Sequence, residues 1–191
     1  ASDKVFVAGN AFSREHNTQF AVVRYGNVMG SRGSVIPFFY SLKDTGEIPI
    51  TDTRMTRFMI TLEQGVDLVW TAFEDAMGGE IYVKKIPSMN IVDLAEAVAP
   101  GASHKIIGIR PGEKLHEQMI SKEDSFHTFE YEGYYKILPS IHNISNELDR
   151  IGNGKKCQEG FSYSSDTNDE WMSTEALSKW LQSEYKSEEG G

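Results

Sequence analysis

The chain has 191 residues, 39% of them hydrophobic and 25% charged, with a formal net charge of −9 and a sequence pI near 5.1. At ~150 residues per domain, that is one ordinary domain or one and a half, with enough apolar residues for a core. The acidic balance argues against general nucleic-acid binding, the single cysteine, Cys157, excludes an internal disulfide framework and a Cys-rich zinc site, and no apolar run approaches the ~20 residues of a membrane span.

Taken in chain order, Val5, Ala8 and Phe12 form a helical stripe that predicts a helix over 2–15. The short apolar run Phe20-Ala21-Val22-Val23 predicts a buried strand, and Gly26, Gly30 and Gly33 punctuate the loop after it. A short helix is expected from Val35 to Leu42, then extended pieces over 49–51 and 56–60. The clearest helix is 61–77. It opens on the capping-box pattern Thr61-Leu62-Glu63-Gln64 and carries Leu62, Val66, Val69, Trp70, Phe73 and Met77 on one face. A strand follows over 80–83. Asn90 then caps a helix with Ile91, Leu94, Ala95 and Val98 on one face, which Pro100 stops. Residues 105–109 read as a strand, 114–120 as a short helix, and the aromatic stretch 128–138 as strand or hairpin. Residues 145–170 are polar and loop-like, 173–186 read as a helix carrying Leu177, Trp180, Leu181 and Tyr185, and 188–191 as a frayed end. Strands and helices alternating at this spacing give the class α/β.

The charge is uneven. Residues 1–60 carry a net +2, whereas 61–144 carry −6 and 145–191 carry −5. Arg24, Arg32, Arg54 and Arg57 all lie in the basic third, as a local anion site or as scattered solvated arginines. Three segments could carry chemistry. The first is Arg24-Tyr25-Gly26-Asn27-Val28-Met29-Gly30-Ser31-Arg32-Gly33-Ser34, between a strand and a helix. Glycines there let backbone N–H groups approach a phosphate at the helix start, or simply allow the loop to turn. Its spacing is not the G-x-G-x-x-G dinucleotide fingerprint. The second is Thr56-Arg57-Phe58, where the arginine fork suits a pyrophosphate or points into solvent. The third runs from Ile109 to Glu117 through Arg110-Pro111-Gly112-Glu113, and suits a ribose or phosphate contact or a structural turn with an Arg–Glu pair. His116-Glu117 is not a zinc motif, because position 120 is Ile, and all five histidines, with Arg14, Arg54 and Arg150, read as surface residues. No G-x-S-x-G elbow, P-loop or EF-hand is found, and the sequon Asn143-Ile144-Ser145 reads as chance. The residues alone therefore define an α/β chain with a candidate anion site.

Six segments occur together and in order: Val23–Val28, Gly33–Phe39, Ile50–Asp52, Met55–Phe58, Lys85–Met89 and Ile107–Glu117. In that order and spacing the sequence closely resembles the inverting UDP-N-acetylglucosamine 4,6-dehydratases, which are extended short-chain dehydrogenase/reductases of surface-sugar biosynthesis. The resemblance implies an NADP-binding Rossmann domain and a smaller domain that grips a UDP-sugar. It implies loss of water across C5–C6 by internal redox, with inversion at C5. The product is a 4-keto-6-deoxy UDP-sugar, a precursor of pseudaminic acid in flagellin glycosylation. The family's glycine-rich loop, its Tyr-x-x-x-Lys pair and its Thr/Asp/Lys acid–base group match no segment of this sequence. The chain is therefore expected to be the C-terminal portion, with residues 1–140 the rest of the Rossmann sheet interleaved with the UDP-sugar domain and 141–191 a polar extension. Alone it is expected to be inactive, with no catalytic residue and no metal ligand.

Carried over by position, Tyr25, Gly26, Asn27 and Val28 resemble the nicotinamide side of the site. Asn27 also resembles the asparagine at the substrate, where an amide can hydrogen-bond phosphate or sugar oxygens. Ser34, Val35 and Ile36 would meet the uracil, largely through backbone groups. Arg57 resembles the pyrophosphate-binding arginine, and Arg110 and Glu113 the pair near the UDP ribose and phosphate. The resemblance also implies a cytoplasmic enzyme, homo-oligomeric at full length, with no nucleic-acid partner and no membrane span. Two rival readings are a stand-alone, non-catalytic nucleotide-sugar binding module and a related UDP-sugar 4-epimerase.

Overall fold

A computed structural model describes residues 2–13, 18–140 and 147–185. In chain order the elements are α1 (Ser2–Ser13), β1 (Val22–Arg24), β2 (Asn27–Val28), α2 (Val35–Leu42), β3 (Glu47–Ile50), β4 (Thr56–Ile60), α3 (Leu62–Asp75), β5 (Ile81–Lys84) and β6 (Ser88–Asn90). They continue with α4 (Ile91–Val98), β7 (Ser103–Ile106), β8 (Gln118–Ile120), β9 (Thr128–Glu130), β10 (Tyr134–Ile137), α5 (Glu147–Ile151), β11 (Lys155–Lys156) and α6 (Thr174–Tyr185). Parallel strand pairs and alternating helices bear out the α/β class. No helix among the described residues is long and apolar enough to cross a membrane. Arg14, His16, His142, the sequon at 143–145 and the end at 188–191 lie outside the described residues.

The elements divide into two units, one comprising Ala1–Tyr25, Leu62–Lys85 and Gln118–Tyr163, the other Gly26–Thr61, Ile86–Glu117 and Ser164–Gly191. In the first, β5 pairs in parallel with β1, Val22 opposite Ile81, and antiparallel with β10, Tyr135 opposite Val83. β10, β9 and β11 continue the sheet antiparallel, so the aromatic stretch over 128–138 is the expected hairpin. Lys136 is buried, its Nζ 2.7 Å from Asp75 Oδ2, and the Tyr82 hydroxyl donates to the same oxygen at 2.6 Å. Burial, then that hydrogen bond, push the Tyr82 hydroxyl above its ordinary range, which keeps it a donor. Burial likewise pushes the Cys157 thiol up to about 11, so the lone cysteine is a neutral packing group at pH 7.

Two expectations for this unit are corrected, the loop-like reading of 145–170 and the surface placement of Arg150. The polar stretch read as loop contains α5 and β11, because Arg150 pairs with the buried Glu80 and donates to Gly78 O at 3.0 Å. Arg150 is thus a structural cation rather than a surface one. In α3, the apolar residues do share a face, but that face is exposed: Phe73 is 78% and Trp70 58% accessible. The helix buries Gly65, Leu68 and Ala72 instead. Leu68 and Ala72 pack on Val23 and Tyr82.

In the second unit β4 is central. It pairs in parallel with β2, Asn27 opposite Met59, and antiparallel with β6, Arg57 opposite Met89. β3 and β7 pair in parallel from Glu47 opposite Ser103 to Ile50 opposite Ile106, which places β7 two residues earlier than the apolar pattern suggests. One core gathers Ile36 and Phe39 of α2, Ile48 and Ile50 of β3, Leu94 of α4, and Leu177 and Leu181 of α6. Asn90 caps α4 as expected, its Oδ1 accepting Val92 N–H at 2.8 Å. The helix expected over 114–120 does not form. Leu115 O accepts from Thr56 N at 3.1 Å, and Glu117 N donates to Ser165 Oγ at 2.9 Å. These groups bond sideways, to β4 and to the 164–166 segment, and are lost to a helix ladder.

β2 lies so near β4 that a Cβ on Gly26 would stand 2.4 Å from Phe58 Cβ and 2.5 Å from Phe58 O. Gly26→Ala is therefore expected to destabilise the second unit by roughly 1–3 kcal/mol, the usual range for overpacking, read as a lower urea midpoint. An unchanged midpoint would show that the two strands can separate without cost.

Candidate functional site

Gly30 and Gly33 both take left-handed backbone angles, φ 76° and 78°, and so turn the chain twice between β2 and α2. Ser34 follows in extended geometry as the N-cap of α2, but its side chain caps nothing. Its Oγ is buried and has no hydrogen-bond partner among the described residues. The backbone N–H groups of Val35 and Ile36 begin the helix and have no acceptor within it, and Pro37 has none to offer. Ser34 and the start of α2 therefore border the same small space.

That space is a cleft of about 430 Å³, within the range of small-molecule sites. Its polar lining includes Ser34, Thr51, Arg57, Arg110 and Glu113, and its apolar lining includes Val35, Phe38, Met55 and Ile107. Arg57 is held by its own backbone surroundings: Nη1 donates to Thr56 O at 2.7 Å and to Leu115 O at 3.2 Å. Nη2 lies 2.9 Å from Met55 Sδ and 3.8 Å from Glu113 Oε1, and Nε lies 3.9 Å from Glu117 Oε1. Two carboxylates thus balance the cation without closing hydrogen bonds on it. Gly112, at φ 85°, turns the 110–113 segment, where Glu113 N donates to Arg110 O at 3.0 Å and Arg110 N to Glu113 Oε2 at 3.3 Å. The Arg–Glu pair expected within this turn is therefore a backbone contact, and the ionic partner of Glu113 is Arg57. The Arg110 guanidinium has no partner among the described residues.

Behind the cleft lies a polar cluster. Thr56 Oγ1 is 2.8 Å from His116 Nδ1 and 2.7 Å from Ser165 Oγ. His116 is therefore a half-buried member of the network and not the surface histidine expected. Glu117 Oε2 accepts Phe58 N–H at 3.0 Å, and Asn27 Nδ2 sits 3.0 and 3.1 Å from the two Glu117 oxygens.

The residues singled out from sequence thus divide. Ser34, Val35, Arg57, Arg110 and Glu113 line one cleft. The Ile36 side chain does not: it is 1% exposed, in the core, because the second position of α2 faces inward, which leaves only its backbone for a ligand. Asn27 adjoins Arg57 through Glu117. Val28 is a β2 residue opposite Ile60, and Gly26 is a glycine because Phe58 fills the space beside it. Tyr25, with a half-exposed ring, is the last residue of the first unit's opening segment. Arg24 is engaged within the first unit. Its Nε pairs with Asp3 at 2.8 Å and its Nη1 donates to Met119 O at 2.6 Å. Arg54 is bound to Asp52, which it holds down to about 2. Sequence reasoning misses Glu117 and Ser165 as site residues. Glu117 reads there as the end of the 107–117 segment and as half of a failed zinc motif, with no role of its own, and Ser165 lies in a polar stretch with no periodic signal.

Fold and cleft together define a mixed α/β protein with a cationic, half-apolar site of small-molecule size. Residues 1–139 match the family described as polysaccharide biosynthesis protein, and the chain belongs to that family. An inverting UDP-N-acetylglucosamine 4,6-dehydratase of Campylobacter jejuni is 57% identical over 184 residues, which cover 93% of this chain and 55% of that protein. A UDP-glucose 4-epimerase of Rickettsia akari is 43% identical over 140 residues, 71% of this chain and 41% of that protein. The X-ray structure of Pen from Bacillus thuringiensis superposes with a TM-score of 0.79 at 30% identity, over 95% of this chain and 54% of that one. The chain thus spans about half the length of these relatives. The resemblance read from the six segments is borne out.

Ser165→Ala is expected to cost roughly 1–3 kcal/mol by leaving Glu117 N–H and the Thr56 hydroxyl without this partner, seen as a fall in the melting midpoint. A wild-type midpoint would remove Ser165 from the support of the site. By carbon-detected NMR titration the Asp52 carboxyl should titrate at about 2, and Arg54→Ala should return it toward 3.8. Because the folded value is the lower one, this pair favours the fold above pH 3.8 and stops doing so as pH falls toward 2.

Proposed function

We propose that this chain is the UDP-sugar-binding portion of an inverting UDP-N-acetylglucosamine 4,6-dehydratase. The observation that carries the reading is the cleft, where an orphaned Ser34 hydroxyl at a helix start meets two arginines and a carboxylate beside an apolar wall. The 57% identity to the Campylobacter jejuni dehydratase supports the same choice. A uracil ring is flat and apolar on its faces and polar at its edge. Phe38, Met55 and Ile107 suit its faces, and Ser34 Oγ with the Val35 and Ile36 N–H groups suits its carbonyls. Glu113 suits the ribose hydroxyls, which donate to a carboxylate. The Arg57 fork, already oriented by Thr56 O and Leu115 O, suits the pyrophosphate, with Arg110 as a second cation.

In this reading the chain holds and orients the nucleotide, and no residue of it moves a proton. The product of the whole enzyme is the C5-inverted 4-keto-6-deoxy UDP-sugar, a pseudaminic acid precursor. NADP, when bound, would supply the hydride acceptor and donor. What the second unit offers it is the backbone of 26–28, since Phe58 fills the space at Gly26 and the Asn27 nitrogen is engaged by Glu117; Tyr25, in the first unit, keeps an exposed ring. We further read the whole enzyme as cytoplasmic and homo-oligomeric. A second reading, a UDP-sugar 4-epimerase, is favoured by the 43% identity to the Rickettsia akari protein, over less of the chain.

Calorimetry of the 191-residue chain tests this. UDP and UDP-N-acetylglucosamine should both bind, and Arg57→Ala should weaken both by roughly 10- to 100-fold, the worth of a charge-assisted bond. With NADP added, the chain alone should form no 4-keto product. Absence of binding overturns the reading, and turnover overturns the claim that the chemistry lies elsewhere. A C4 epimer from the full-length enzyme would select the second reading.

A further inference from the structure

The reading above gives Asn27 a place at the substrate without saying which of its atoms is available. The geometry answers this. An amide nitrogen has two hydrogens. Asn27 Nδ2 lies 3.0 and 3.1 Å from Glu117 Oε1 and Oε2, and 3.2 Å from Phe58 O. One hydrogen goes to the carboxylate and the other to the carbonyl, so the nitrogen is saturated. Turning the amide over would set its oxygen against three acceptor oxygens, an arrangement with no hydrogen between them. The orientation is therefore chosen by charge and not by packing.

Glu117 cannot easily swing aside to release it. Its Oε2 accepts Phe58 N–H at 3.0 Å, its own N–H donates to Ser165 Oγ at 2.9 Å, and Arg57 Nε lies 3.9 Å from Oε1. The Asn27 oxygen has no partner among the described residues. We propose that Glu117 is a positioning residue that locks Asn27 by its nitrogen. Asn27 then meets a ligand only as an acceptor, for a hydroxyl or amide N–H of the sugar, and not as a donor to phosphate. Arg57, the second residue of β4 and within reach of the same carboxylate, is left as the phosphate donor. The two side chains thereby divide a nucleotide-sugar: the cation takes the anionic part and the amide oxygen takes a neutral donor beyond it. The inference rests on the UDP-sugar reading.

The test exchanges the polarity of the pair. Asn27→Asp leaves the shape unchanged but sets two carboxylates face to face. Asn27→Asp with Glu117→Gln restores the hydrogen bond between positions 27 and 117 in the opposite sense, while Phe58 O loses its donor in the single and double variants alike, so the comparison between them isolates the pair. The amide introduced at position 117 donates to one oxygen of the carboxylate introduced at position 27. The other carboxylate oxygen stands where the Asn27 oxygen stood, and the local charge equals that of the wild type. The readout is the ratio of UDP-N-acetylglucosamine to UDP affinity, measured by calorimetry on the full 191-residue chain at about pH 7.5, with melting midpoints to show that each variant is folded. The single variant should lose about tenfold of that ratio, and lowering the pH should recover part of it as the carboxylate pair takes up a proton. The double variant should return to within about threefold of the wild-type ratio. A folded double variant with a ratio as poor as the single one would overturn the proposal, because an asparagine that donates to phosphate cannot be replaced by aspartate. A single variant with the wild-type ratio would also overturn it. If neither probe binds the wild-type chain, the UDP-sugar reading itself fails and the inference goes with it.

Discussion

The second unit depends on one carboxylate. Glu117 joins three stretches of chain that are far apart in sequence: the β2 start at Asn27, the middle of β4 at Phe58, and, through its own N–H, Ser165 of the closing segment. Hydrogen bonds to an ionised group contribute about 1.5–3 kcal/mol each, roughly twice the neutral kind. A loop carrying such a group need not be helical to be fixed. Residues 113–117 are a case in point. Leu115 O, the His116 ring and Glu117 all bond sideways, to β4 or to Ser165.

The same arrangement sets the electrostatics of the cleft. Arg57 stands between Glu113 and Glu117 at distances where attraction persists but no hydrogen bond forms. Its backbone contacts hold the guanidinium plane, so the orientation is settled before a ligand arrives. Such preorganisation lowers the ordering cost of binding. Ser34 acts in the opposite way. Its buried hydroxyl lacks a partner among the described residues, a cost that the proposed uracil edge would remove.

Much of this is legible in the sequence, and the misses have physical causes. The strands and helices around β4, the Asn90 cap and the closing helix follow from local periodicity and capping chemistry, which are short-range signals. So do the glycines of the 26–33 loop and the arginines of the cleft, once six ordered segments are taken together. Three things are not local. The helix expected over 114–120 loses its backbone groups to β4 and Ser165. The polar stretch with α5 is ordered by a single ion pair, Arg150 with Glu80, formed across the chain. The orientation of α3 escapes the sequence because hydrophobic periodicity names the apolar side of a helix, not the side its own sheet uses.

That last feature has an effect on how the helix can change over time. Packing on the sheet is entrusted to Leu68 and Ala72, while Leu62, Val66, Trp70 and Phe73 occupy an adjoining, open side. The two sides share a backbone but no side chain. A substitution at Phe73 therefore alters what the helix presents without loosening how it is seated, and one at Leu68 does the reverse. Among the described residues, the outer positions are therefore constrained less by the sheet than Leu68 and Ala72 are, and the helix offers an apolar side that its own sheet does not use.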